Sequence, residues 1–97
     1  MTGDKLLRYC SSAALGEQIY CFSYILGMAD GIDAYQAHAP EIDKKICKPK
    51  DFDMGLLKII VADHLEKHPK DRHLPAASSV FQVLRETYPC NKPVGGN

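Results

Sequence analysis

The chain has 97 residues and a mass of 10.8 kDa, room for one domain and not for two. Twelve Lys plus Arg balance twelve Asp plus Glu, so the basic excess of a nucleic-acid-binding protein is absent and polyanion binding is excluded as a main role. An apolar fraction of 45% belongs to a folded protein, since a disordered chain carries fewer apolar residues and more uncompensated charge.

Apolar spacing is helical almost throughout. Asp4 is expected to cap a short first helix over about residues 4–12, with Leu6, Leu7 and Cys10 on one face. A longer helix is predicted from about Gly16 to Ala37. Leu15, Ile19, Phe22, Leu26 and Ala29 recur at three- and four-residue intervals as its buried face, which should pack on two neighbours. Between His38 and Asp53 the pattern fails around Pro40 and Pro49, and the segment reads as a loop tied down by Cys47. Asp53 then offers a side-chain cap to a central helix running to His68, an almost uninterrupted apolar wall that Pro69 ends. Pro75 suits the first turn of a last helix, because its missing N–H would have no helical partner. Val80, Phe81, Val83, Leu84 and Tyr88 form its buried face before Pro89 stops it. No segment alternates apolar and polar residues over strand lengths. The fold class is therefore all-α, a single bundle of about four helices over residues 1–90, with 91–97 as a disordered tail.

Four cysteines, Cys10, Cys21, Cys47 and Cys90, are many for so short a chain, and none forms a C-x-x-C pair. Scattered single cysteines suit two disulfides better than zinc, which implies an oxidising compartment. The least polar stretch, around Leu15 to Tyr35, is broken by Glu17, Asp30 and Asp33, so no membrane span is expected. The N-terminus lacks the features of a signal peptide, and the chain is expected to be a mature exported form.

The residues that could carry chemistry read as structural. His64 and His68 lie one turn apart with His73 nearby, yet a zinc peptidase needs glutamate directly after the first histidine, where Leu65 stands. Imidazoles near a helix C-terminus also cap its last carbonyls. The serines sit in no nucleophile motif, and Asp30 with Asp33 reads as a solvated face or a buried tie rather than an acid–base pair. No cofactor is implied. Gly27 and Gly31, spaced i and i+4, strip one stripe of a helix of side chains at up to about 1 kcal/mol each. Something should therefore pack close there, either another helix of the same chain or a second copy.

Several stretches together resemble one family. They are Cys10, the run from Tyr20-Cys21-Phe22-Ser23-Tyr24 through Gly27 to Asp30-Gly31, then Cys47-Lys48-Pro49, His64-Leu65-Glu66-Lys67-His68-Pro69, Arg72-His73-Leu74-Pro75-Ala76 and Tyr88-Pro89-Cys90. In this order and spacing the chain resembles the Rap/Tai family, periplasmic immunity proteins that neutralise type VI secretion amidase effectors. Ser23 replaces a glycine usual in the family, and Asp53 stands where a threonine cap is common. The resemblance implies a non-enzymatic protein that blocks a peptidoglycan-cleaving cysteine amidase in the periplasm, and a homodimer. A periplasmic acid-stress holdase and a small metal-binding enzyme built on His64, His68 and His73 are the rival readings.

Three finer expectations follow. About sixteen helical residues after Cys21 rise roughly 24 Å, which ten extended residues could retrace, so Cys21 is expected to pair with Cys47 and Cys10 with Cys90. Asp30 is expected to meet the Arg72-His73 connector in a structural contact, with Gly27, Gly31 and Pro75 also structural. The effector should be met at polar connectors. Glu41, Asp43, Lys44 and Lys45 form the favoured one, and Glu66, Lys67, Lys70 and Asp71 the other; mixed charge there serves specificity and association rate.

Overall fold

The computed structural model describes residues 1–39, 41 and 44–90. Its first helix, α1 (Gly3–Ser11), starts one turn earlier than Asp4 would place it, because the Thr2 hydroxyl accepts the Lys5 N–H at 3.3 Å and is the N-cap. Asp4 lies in the first turn instead, where its charge complements the helix dipole. After a turn at residues 12–14, α2 (Leu15–His38) runs 24 residues. Asp53 caps α3 (Met54–Lys67) as the sequence predicts, its carboxylate accepting the Leu56 N–H at 3.1 Å. A 3-10 turn, Pro69–His73, leads through Pro75, the N-cap, to α4 (Ala76–Thr87). Among the described residues no strand forms. Two isolated β-bridges, Thr2 with Pro75 and Ile46 with Pro89, lace the chain ends to the bundle.

The core gathers one stripe from every helix: Leu6 and Cys10 from α1, Cys21, Ile25 and Ala29 from α2, Leu57, Val61 and Leu65 from α3, Val80, Val83 and Leu84 from α4. Ile46 of the long connector joins them. Each large side chain removed from water there contributes about 1.5–3 kcal/mol. Gly3 makes α1's start possible: a Cβ on it would stand 2.9 Å from the Arg72 Cα and the Asp71 carbonyl oxygen. Backbone therefore crosses backbone where α1 meets the 3-10 turn. The Tyr24 phenol, partly buried against the core, is pushed up from its ordinary pKa by desolvation.

Burial on α2 departs from the predicted face. Cys21, Ile25 and Ala29 are its buried residues, whereas Leu15, Ile19 and Phe22 are exposed. The helix is apolar on nearly every side, so periodicity could not single out the stripe that the bundle covers. On α4, Phe81 is likewise exposed while its neighbours Val80 and Val83 are buried.

The cysteine pairing is also corrected: Cys10 bonds Cys21 and Cys47 bonds Cys90. The three-residue turn folds α2 back beside α1, bringing the Cys10 and Cys21 Cα atoms to 5.0 Å, with Tyr9 stacked on Tyr20 at 5.3 Å. Cys47 never retraces α2. It stays at the helix's far end, where its N–H donates to the Tyr88 carbonyl at 2.8 Å and Cys90 is adjacent.

Candidate partner-binding connectors

The first connector is held where it leaves α2 by a residue that sequence reasoning overlooked. The Gln36 amide oxygen accepts the Lys45 and Ile46 N–H groups at 3.1 and 3.2 Å, and its nitrogen donates to the Ile46 carbonyl at 2.9 Å. A helix glutamine thus completes the hydrogen bonds of an extended segment that no strand accompanies. Lys48 adds an ion pair to Asp33 at 2.8 Å and lies 4.6 Å from the centre of the Phe52 ring. Glu41, Lys44 and Lys45 are exposed on this frame, and Asp43 lies outside the described residues.

The second connector is more committed to the fold. Asp71 accepts from the Nε2 of the buried His64 at 2.9 Å. His68 stacks on His64 with ring centres 4.2 Å apart and donates from Nδ1 to the His64 carbonyl at 2.7 Å. Arg72 donates from Nε to the Leu65 carbonyl at 2.7 Å and from a terminal nitrogen to the Glu66 carbonyl at 2.6 Å. These side chains satisfy the last carbonyls of α3, which a helix otherwise leaves without partners. Lys67 pairs with Asp63 at 3.2 Å, and Glu66 and Lys70 are exposed.

Arg72 therefore turns to α3 and not to Asp30, which is exposed on α2, as His73 is on the connector. The expected Asp30 contact does not form. Nor do Gly27 and Gly31 receive another helix of this chain, since a Cβ on either would meet nothing within 4 Å. They floor an open groove of about 410 Å³ walled by Met28, Ile32, Tyr35 and Phe81, with Gln36 and Lys45 at one end. The two connectors are separate: one is tied to the C-terminal end of α4 through Tyr88 and Cys90, the other leads into its N-terminal end at Ala76. Twelve helical residues hold them roughly 18 Å apart.

Residues 2–90 match the family model described as Rap1a immunity proteins. The chain belongs to the Rap1a immunity protein family. No curated protein and no solved structure matches it. Membership makes the chain an immunity protein whose partner is a secreted effector. Among the described residues no helix is long and apolar enough to cross a membrane. The two bridges of this Rap1a-family chain are compatible with a compartment outside the reducing cytoplasm.

Proposed function

We propose that this chain is a periplasmic immunity protein that binds and inhibits a type VI secreted peptidoglycan amidase, sparing the producing cell from its own or a sibling's toxin. The chain acts by occlusion and as a homodimer, and performs no chemistry itself. The observation that carries the reading is the first connector: exposed Glu41, Lys44 and Lys45 on a backbone held by Gln36 on one side and the Cys47–Cys90 bridge on the other. A charged loop kept rigid loses little conformational entropy when it docks, and its charges select among related partners.

The test titrates the purified protein into the amidase secreted by the same organism's type VI system and follows peptidoglycan hydrolysis. Stoichiometric inhibition is expected. Lys44→Glu with Lys45→Glu should weaken inhibition by about tenfold or more while leaving the helical circular dichroism spectrum unchanged. Full inhibition by that variant moves the interface away from this connector, and no inhibition by the parent protein removes the amidase reading.

A further inference from the structure

We infer that a second copy of this chain packs on the outward face of α2. The face is built for contact. One ridge carries Leu15, Ile19 and Phe22, the other Tyr20 and Tyr35, with relative exposures of 76, 56, 40, 62 and 62%. Between them runs a valley of small residues, Gly16, Ser23, Gly27 and Gly31, opening into the groove beside Phe81. The ridge continues onto α3 through Leu56 and Ile59, which line a shared hollow with Phe22. A valley flanked by ridges is the surface into which another helix's ridge fits.

Three features select a second copy as the occupant. A twofold contact uses one patch on both partners, so ridge and groove must lie on the same surface, as they do here. The large apolar side chains left open along α2 and beside it on α3 and α4 amount to on the order of 900 Å², against the roughly 800 Å² that each partner of a stable complex covers. Few charges stand in the way. In all 24 residues of α2 the charged side chains are Glu17, Asp30 and Asp33, and Asp33 is already neutralised by Lys48. Gly27 and Gly31 then acquire the reason that the single chain does not give them: each costs helix stability and neither serves an internal contact.

The inference goes beyond the immunity reading, and its test needs no effector. Sedimentation velocity of the full chain, with its disulfides intact, should show a concentration-dependent dimer. Gly27→Leu combined with Gly31→Leu fills the groove with side chains that clash with nothing in the parent fold, and should leave the protein helical but monomeric. Ile19→Ser, which removes one ridge without filling the valley, should weaken self-association by about tenfold or more. A parent chain that stays monomeric at every concentration overturns the proposal, as do dimers that persist unweakened in both variants. A monomeric parent whose groove-filled variant loses amidase binding gives the face to the effector and overturns it too.

Discussion

Two pairs of helices solve the burial problem differently. The amphipathic α1 and α4 turn their apolar stripes inward, with Leu6 and Cys10 on one and Val80, Val83 and Leu84 on the other. By contrast α2 and α3 are apolar nearly all round, and the bundle covers only a stripe of each, leaving Leu15, Ile19, Leu56 and Ile59 open. A helix apolar on every side normally lies in the middle of a larger core. The first pair is explained by the single chain, whereas the second pair carries more apolar surface than folding alone requires.

The comparison can be broken most directly by truncating one residue from each region. Leu6→Ala removes a side chain with no exposure and should cost about 2–5 kcal/mol of stability. Ile19→Ala, at 56% exposure, should stay within about 0.5 kcal/mol. Both are read by urea unfolding, at concentrations where the chain is monomeric. Equal losses would mean that α2 is packed on both sides within one chain.

The two bridges sample the same contrast at different depths. Chain entropy assigns about 4 kcal/mol to Cys47–Cys90, which spans 43 residues, and about 3 kcal/mol to Cys10–Cys21, which spans 11. Accessibility sets the order of reduction: Cys21 is fully buried and Cys10 8% exposed, while Cys47 is exposed. Limited dithiothreitol treatment followed by alkylation and mass mapping should label Cys47 and Cys90 first. Earlier labelling of Cys10 and Cys21 would show that the α1–α2 hairpin opens before the connector does.

The elements were legible in the sequence because their signals are local. Asp53, Pro69 and Pro75 mark ends that depend on neighbouring atoms alone, and every helix starts or stops close to them. The cysteine pairing was legible only in part, since chain length permits several closures and the choice rests on how a three-residue turn folds α2 onto α1. The Gln36 clamp was not legible at all. Its partners lie nine and ten residues on, across an irregular segment, and a glutamine in a helix carries no mark of such a role. Of the site, the charged connectors could be read from lost periodicity, but the division of α2 into covered and open sides could not.

Glycine offers the finest probe of that division, because the same substitution should have opposite signs in the two regions. At Gly3 an added methyl would stand 2.9 Å from backbone atoms of Arg72 and Asp71, which cannot swing aside as a side chain end can. Gly3→Ala must part α1 from the 3-10 turn and should cost about 1–3 kcal/mol, the usual penalty of overpacking. At Gly31 the methyl enters open space on a helix interior. There alanine reduces the freedom of the unfolded chain and improves helix propensity, a gain of up to about 1 kcal/mol. For a domain of this size each kcal/mol moves the melting temperature by about 4–8 °C, so calorimetry on dilute protein separates the two variants by sign. A melting temperature lowered by Gly31→Ala would mean that the valley on α2 is occupied within the single chain, and the second copy would lose its place there.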